Sequence, residues 1–235
     1  METPYEFPAQ LNQFVQVENP GVIVAWWRGV GPTHNVFVVE SAMDELAALA
    51  GVDPIEFRRR HLGKDPRARA VLDLVAEKSG WGQPLPKGTG RGVGLQIAFG
   101  SWLATVVEAS VSERGEILLH NVYVVADVGP VVNPDTLAAQ LEGGMIFGLS
   151  MAMYSEITHF KGRVEQSNFH DYRALRINEA PKVHVHIVNN PNAPIGGVGE
   201  AGTAAASAPL ANAIFAATGR RLRRIPFATG QLSQA

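Results

Sequence analysis

The chain has 235 residues, which is enough for one large domain or two small ones. Hydrophobic residues make up 46% and charged residues 18%, so we expect a folded core rather than disorder. The formal net charge of −2 excludes a global basic field for binding nucleic acid or an anionic membrane. The absence of cysteine excludes disulfides, a thiolate zinc site and any iron–sulfur cluster held by this chain.

The chain opens with a region that predicts short strands and a loop. Mixed polar and β-branched residues over 11–24 predict strands, and the glycines of residues 26–32 predict a loop. Trp26 and Trp27 form either a stacking site or, more commonly for a strand end, part of the core.

Helical signals follow. Apolar residues spaced by three and four over residues 35–50 predict an amphipathic helix that ends at Gly51. Asp53, followed by proline and then glutamate, predicts the cap of a second helix, and residues 66–78 predict a third. Residues 35–80 are therefore expected to form a compact helical unit.

The middle of the chain changes to strand periodicity. Residues 81–90 are rich in proline and glycine and predict a linker, and from Gly92 the apolar period is two. Residues 103–112 and 116–127 predict an antiparallel hairpin joined by the turn at 113–115.

A further helix is predicted from the cap at Asn133 to about Tyr154. One face of this helix repeats small residues, which indicates that another backbone approaches it closely. These residues are Ala138, Ala139, Gly143, Gly144 and Gly148.

The last elements complete the predicted fold class. Residues 183–188 alternate as a strand, and residues 202–218 predict a final helix that stops at Gly219. The order of helices, strands and mixed elements predicts an α+β fold. We divide it into segments 1–80 and 81–235.

The densest glycine signal lies around Glu200. Gly197, Gly199 and Gly202 have the spacing of a dinucleotide-binding fingerprint, but residues 189–194 are irregular where that motif needs a strand, and no acidic residue follows Glu200. The loop therefore presents one carboxylate just before a helix. Shielded from water, it could serve as a base; the alternative is a glutamate that complements the helix dipole.

Several motifs in order resemble the C-terminal part of the molybdopterin-binding large subunit in the xanthine oxidase family of molybdenum hydroxylases. The closest likeness is to the isoquinoline 1-oxidoreductase β-subunit and aldehyde oxidase type. The motifs cover nearly the whole chain, at residues 27–31, 127–129, 132–134, 140–144, 168–172, 197–203 and 208–219.

The resemblance implies roles for individual residues. Glu200 would be the catalytic base, and Val30 would face the substrate, where its aliphatic side chain argues against purines. The cofactor-binding residues would be Arg28, Gly29, Gln140, Gly197, Val198 and Gly199. Ala201 stands where the family usually has proline, which loosens the loop. No residue of this chain is predicted to ligate a metal directly.

The resemblance also implies cofactors and partners. It implies molybdopterin with molybdenum, in the cytosine dinucleotide form, and 2Fe-2S clusters on an iron–sulfur partner subunit. The substrate would be an N-heterocyclic aromatic or an aldehyde, hydroxylated with oxygen from water. Activity would require the remaining part of the molybdopterin-binding subunit, since the large subunits of the family are longer; the alternative is a catalytically silent fragment or interaction module that keeps the fold.

The sequence also suggests a location. It shows no signal peptide and no membrane-spanning segment, so we expect a cytoplasmic chain, or a periplasmic one if a partner exports it.

The sequence supports a functional role less strongly for the other candidate residues. His184 and His186 share a strand face that permits metal binding but more simply forms an exposed face. His34 borders either the proposed pocket or a helix start. The basic cluster of Arg220, Arg221, Arg223 and Arg224 meets an anionic partner or forms a solvated helix end.

Overall fold

The computed structural model describes residues 3–17, 21, 24–227 and 232. Its helices are α1 (Val30–Leu49), α2 (Pro54–Arg60), α3 (Pro66–Lys78), α4 (Pro134–Met153), α5 (Ala201–Ala204) and α6 (Ser207–Thr218). Its strands are β1 (Thr89–Ala98), β2 (Ser101–Val111), β3 (Ile117–Asp127), β4 (His159–Phe160), β5 (Arg163–Val164) and β6 (Lys182–Ile187). The predicted α+β class is confirmed.

The main sheet has the strand order β1-β2-β3-β6. The first three strands are antiparallel neighbours, which confirms the predicted hairpin, and β6 pairs with β3 in parallel. The parallel pairing needs a long crossover, and α4 lies within it. The short strands β4 and β5 pair separately.

Each face of the sheet carries its own buried cluster of apolar side chains. One cluster joins the sheet to α4, α5 and α6, with Leu141, Leu149 and Leu210 among its fully buried members. The other joins the sheet to α2 and α3, through residues such as Ile55 and Leu72. This second cluster contains residues from both sides of the predicted boundary at 80/81, and the division into two segments stays a prediction.

Local capping explains why three helices begin where the sequence predicts. Asp53 Oδ1 accepts from the backbone N–H groups of Ile55 and Glu56 at 2.9 and 3.0 Å. Asp65 caps α3 and Asn133 caps α4 in the same way, each at 2.9 Å. A side-chain oxygen thus satisfies a donor that the first helical turn leaves unpaired.

The first helix begins earlier than predicted. The loop assigned to residues 26–32 is wrong from Val30 onward, because α1 already starts there and runs to Leu49. Pro32 lies in its first turn, where the missing N–H of proline costs no helical hydrogen bond. A proline near a helix start is therefore poor evidence for a loop.

The predicted strands at residues 11–24 are also wrong for the part that the structure describes. Residues 11–17, 21 and 24 contain no strand, and residues 18–20 and 22–23 lie outside the described ranges. Leu11, Phe14 and Val15 are exposed. Strand-forming residues need a partner strand and a surface to cover, and this segment has neither in the described structure.

The predicted helix at 202–218 is split into α5 and α6. Pro209 is the third residue of α6, and its ring would collide with the carbonyl of Ala205 in a continuous helix. The break leaves the short helix α5 directly after Glu200, packed against α4.

The small-residue face of α4 meets α5 backbone to backbone. A Cβ at Gly144 would lie 3.1 Å from the Cα of Gly202, and one at Gly148 would lie 2.4 Å from the carbonyl oxygen of Thr203. The predicted close approach is confirmed at these two positions. Gly143 has nothing within 4 Å of its Cβ position.

A buried charge network fixes α1 against the sheet. The Nε of Arg58 donates to Glu40 Oε2 at 2.9 Å, and the same oxygen accepts from the backbone N–H of Leu95 at 3.0 Å. Arg58 and Glu40 are essentially inaccessible to solvent. Burial raises the pKa of Asp44 in this network, against the lowering effect of Arg58 and Arg221.

Within the described ranges, none of the helices has both the length and the apolar character that a bilayer crossing demands.

Candidate active site

Glu200 lies at the junction between the glycine-rich loop and α5. Its Oε1 accepts a hydrogen bond of 2.9 Å from the backbone N–H of Gly29, which is 171 residues away in sequence. The side chain forms no capping bond to its own helix. Among the described residues, Oε2 accepts no hydrogen bond and no cation pairs with this carboxylate. The carboxylate is therefore oriented by one oxygen and open at the other.

Two side chains converge on the carbonyl that precedes Glu200. The Nε of Arg28 donates to the carbonyl oxygen of Gly199 at 2.9 Å, and Gln140 Nε2 donates to the same oxygen at 2.8 Å. Gln140 also reaches the carbonyl oxygen of Val198 at 3.4 Å. The structure thus brings together Arg28, Gln140 and the loop, as predicted residues of one site. The expected bond from Gln140 to a pterin stays a prediction.

The loop is anchored to the ends of the sheet strands. The N–H of Gly197 donates to the carbonyl oxygen of Phe99 at 2.7 Å, and Ser101 Oγ donates to the carbonyl oxygen of Gly197 at 2.9 Å. The N–H of Gly196 donates to the carbonyl oxygen of Val128 at 2.8 Å. A Cβ at Gly196 would lie 2.3 Å from the carbonyl oxygen of Gly100, so the backbones touch there.

The turn before α1 requires glycine at position 29. Gly29 has φ 98°, and a Cβ there would lie 2.1 Å from Thr33 Oγ1. Val30 follows at φ 38°, an unusual conformation for a β-branched residue. This strained turn points the N–H of Gly29 at Glu200 and places Val30 beside it in the chain.

Asp127 holds the neighbouring loop at the end of β3. Its carboxylate pairs with Arg67 at 2.6 Å and accepts from Asn190 Nδ2 and the N–H of Gly129, each at 3.0 Å. Burial by itself would raise the pKa of Asp127, but these hydrogen bonds outweigh it and lower the pKa below the ordinary value. The sequence places Asp127 in a cofactor-proximal motif without revealing the Arg67 partner.

A cavity of about 410 Å³ opens between this loop, the glycine-rich loop and the N-terminal end of α4. Its walls are mostly apolar, with a few polar groups. The apolar residues include Val128, Val131, Val132, Leu137, Ile195 and Val198, and the polar ones are Asn133, Thr136 and Gln140.

These residues fit a molybdopterin. Gly199 has no atom within 4 Å of its Cβ position, so a bulky ligand can approach its backbone. Gln140 lines the cavity, and its amide oxygen would remain for a pterin edge because its Nε2 already donates to the loop. The donor set contains amide, hydroxyl and backbone groups, which is the chemistry of ligand binding rather than of a protein metal site.

The remaining candidates do not join this site. His184 stacks on Tyr123 with ring centroids 4.8 Å apart, and its Nε2 lies 3.1 Å from Asn121 Oδ1. His34 is an exposed residue of α1. Within the described ranges, no three His, Asp or Glu side chains are grouped to hold a metal ion.

Two of the four C-terminal arginines pair with α1, and Arg224 lies 3.7 Å from Glu156 instead. Arg221 pairs with Asp44 at 2.5 Å, and Arg223 pairs with Glu45 at 2.6 Å. The two tryptophans behave differently from each other. Trp26 is 90% exposed and Trp27 is 37% exposed, so the predicted burial is wrong for both, but Trp27 stacks on Phe147 at 4.9 Å. Phe147 has no sequence motif that singles it out.

Comparisons with known proteins identify the family of the chain. Sequence profiles described as "Molybdopterin cofactor-binding domain" match residues 35–181 and 1–62. The beta chain of isoquinoline 1-oxidoreductase from Brevundimonas diminuta is 36% identical over 87% of this chain and 27% of its own. A nicotinate dehydrogenase subunit of Pseudomonas putida is 33% identical over 99% of this chain and 21% of its own.

A solved structure supports the fold. Quinoline 2-oxidoreductase from Pseudomonas putida 86 superimposes with a TM-score of 0.74 at 12% identity, covering 87% of this chain and 52% of that one. The chain spans about a quarter of the length of the two sequence relatives. The predicted resemblance is confirmed: the chain belongs to the molybdopterin cofactor-binding domain family, among the molybdopterin-binding subunits of the xanthine oxidase family.

Proposed function

We propose that this chain supplies the base-bearing part of a molybdenum-dependent oxidoreductase that hydroxylates a ring carbon of an N-heterocyclic aromatic, or an aldehyde carbon, with oxygen from water. Membership of the family supports the redox class. The names of the two sequence relatives, which refer to isoquinoline and nicotinate, favour the N-heterocyclic substrate. The observation that carries the proposal is the carboxylate of Glu200, fixed by Gly29 through one oxygen and open at the other.

The geometry suits Glu200 to accept a proton. A general base must hold its acceptor atom in a fixed direction and leave it accessible. The N–H of Gly29 fixes Oε1, so Oε2 is the oxygen that takes the proton from the attacking water-derived oxygen. Among the described residues, Arg28 forms no ion pair with this carboxylate, and its Nε donates to the carbonyl of Gly199.

The neighbouring residues would hold the cofactor and the substrate. The backbone of Gly197, Val198 and Gly199, with Gln140, would line the pterin, and Arg28 and Gly29 would close the site on the other side. When bound, the molybdenum–molybdopterin group would supply Lewis acidity and accept the two electrons that the oxidation releases.

Val30 would limit which substrate rings the site accepts. It is half-buried and follows Gly29 in a strained turn, and strain of this kind persists where the surrounding structure enforces it. Its branched side chain offers no aromatic surface for stacking, which favours smaller or less purine-like rings.

The complete enzyme would need further components. We propose the cytosine dinucleotide form of the cofactor, an iron–sulfur subunit that carries 2Fe-2S clusters, and the remaining part of the molybdopterin-binding subunit. Because this chain contains no cysteine, the clusters must be ligated elsewhere. If the complex is exported, the targeting signal would be carried by one of these partners. A cytoplasmic location stays a prediction.

The decisive variant is Glu200→Gln in the complex assembled with its natural partners. The amide keeps an oxygen for the N–H of Gly29 but cannot accept the proton. We expect kcat to fall by about 10²–10⁴-fold, the range of general-base catalysis, while molybdenum remains stoichiometric. Glu113→Gln is the matched control, since Glu113 lies in the β2–β3 turn at the opposite end of the hairpin and should leave kcat unchanged.

Two results would reject the proposal. Full turnover in Glu200→Gln would show that another group is the base. A wild-type complex that contains no molybdenum, with all partners present, would favour the catalytically silent alternative, in which the chain keeps the fold but takes no part in chemistry.

A further inference from the structure

One face of α4 contacts both halves of the proposed site. Gln140 and Phe147 are seven residues apart, which places them on the same side of the helix two turns from each other. Gln140 donates to the loop that ends at Glu200. Phe147 contacts the segment that contains Arg28. The helix therefore spans the two segments that meet at the carboxylate.

Phe147 holds this second segment by its ring. Trp27 stacks on it with centroids 4.9 Å apart and planes tilted by 21°. The guanidinium carbon of Arg28 lies 5.7 Å from the centre of the same ring. Stacking and cation–π contacts both need an aromatic ring, and an aliphatic side chain of similar volume provides neither.

The contacts of this segment lead to Glu200. The N–H of Val30 donates to the carbonyl oxygen of Trp27 at 2.8 Å, which closes a tight turn around Arg28 and Gly29. A turn of this kind moves as a unit. The ring that fixes Trp27 and Arg28 therefore also fixes the direction of the N–H of Gly29, which is the donor that orients the carboxylate.

We propose that Phe147 is a positioning residue for Glu200, acting through Trp27, Arg28 and Gly29. It touches neither the carboxylate nor a reacting atom. Its ring holds the turn whose N–H donates to Oε1 of Glu200. The inference rests on the proposed function in one respect, since Glu200 is taken to be the base.

The test compares Phe147→Leu with Phe147→Tyr in the assembled enzyme. Leucine keeps an apolar side chain without a ring, and we expect kcat to fall about tenfold with KM changed less than about twofold, because a misdirected base slows the chemical step. Tyrosine keeps the ring, and Phe147 is 41% exposed, so the site is not a closed core position that an added hydroxyl must overpack. Phe147→Tyr should therefore restore kcat to within about twofold of the wild type.

Hydrogen exchange provides a readout that does not depend on turnover. In the same complexes, the amide of Gly29 should exchange about tenfold faster in Phe147→Leu, in line with the loss of one aromatic pair. Phe160→Leu is the matched control, because this exposed phenylalanine lies on the separate strand β4. It should change neither the exchange of Gly29 nor kcat.

A second variant tests the same contact if Phe147→Leu does not fold. Trp27→Leu removes the other ring of the pair and should reproduce the faster exchange of Gly29 and the lower kcat. Normal exchange and normal kcat in a folded Phe147→Leu protein would overturn the inference, and so would equal losses in the leucine and tyrosine variants. The two proposals can be tested separately. Hydrogen exchange at Gly29 tests whether Phe147 positions the turn, and Glu200→Gln tests whether Glu200 is the base.

Discussion

Glu40 and Glu200 are both held by a backbone N–H, yet their surroundings are opposite. Glu40 is buried, and its Oε2 accepts from both Arg58 and the N–H of Leu95. Glu200 is half-exposed and accepts only from Gly29 among the described residues. The arginine of its site, Arg28, donates to a backbone carbonyl.

This difference separates a structural carboxylate from a reactive one. A buried ion pair fixes the position of its carboxylate, and removing one partner leaves an uncompensated charge. A carboxylate that a neutral donor orients, with one oxygen open, can exchange a proton without unfolding its surroundings. We therefore expect changes near Glu40 to alter stability and changes near Glu200 to alter turnover.

The largest effect on stability should come from Arg58→Met. Methionine fills similar space but leaves the carboxylate of Glu40 buried without its cation and removes one of the two arginines near Asp44, at a cost of about 3–5 kcal/mol in the free energy of unfolding. Equilibrium urea unfolding measures this loss. Arg60→Met on the same helix changes an exposed side chain and should stay within about 0.5 kcal/mol. Similar losses of unfolding free energy in the two variants would contradict a structural role for the Glu40 network.

Asp127→Asn should have an intermediate effect that depends on pH. Because hydrogen bonds from Arg67, Asn190 and Gly129 lower the pKa of Asp127, its ionised form stabilises the fold above its ordinary pKa of 3.8. This contribution is lost as the pH falls through the lowered pKa of the folded state. We expect the variant to be less stable by about 1.5–3 kcal/mol at pH 7 and the difference to shrink below pH 3.8. A difference that does not vary between pH 7 and pH 3 would contradict this assignment.

A pair of glycine substitutions on α4 gives the smallest stability effects and tests how α5 is placed. Alanine at Gly148 would put a Cβ 2.4 Å from the carbonyl oxygen of Thr203, so α5 must shift, at a cost of about 1–3 kcal/mol. Because α5 follows Glu200 directly, kcat should fall as well. Alanine at Gly143 meets no neighbour within 4 Å and should stabilise the helix by up to about 1 kcal/mol. Thermal unfolding and kcat are measured for both variants. If Gly148→Ala matches Gly143→Ala in both measurements, the contact between Gly148 and α5 does not exclude a larger side chain.

Much of the fold follows from local chemistry in the sequence. The caps at Asp53 and Asn133 and the turn at residues 113–115 depend on hydrogen bonds between close neighbours, and these elements form where predicted. The break before α6 depends on Pro209, whose clash is visible only once the helix register is known. The exposed segment at residues 11–17 shows that strand propensity without a pairing strand predicts the wrong element.

The sequence nominates the members of the candidate site but does not reveal the contacts between them. Arg28, Gln140 and Glu200 follow from the family resemblance. Their bonds to Gly199 and Gly29 join residues 59 to 171 positions apart, and no local pattern encodes such pairs. Phe147 left no signal, because an aromatic residue on an apolar helix usually belongs to the core.

The most direct test is the rate of a single turnover with saturating substrate, measured in Glu200→Gln and wild-type complexes that contain equal molybdenum. If Glu200 is the base, this rate falls by at least about a hundredfold while the thermal unfolding midpoint is unchanged. A rate within about threefold of the wild type, or a loss that merely follows a drop in stability, would contradict the account and make Glu200 a structural residue like Glu40.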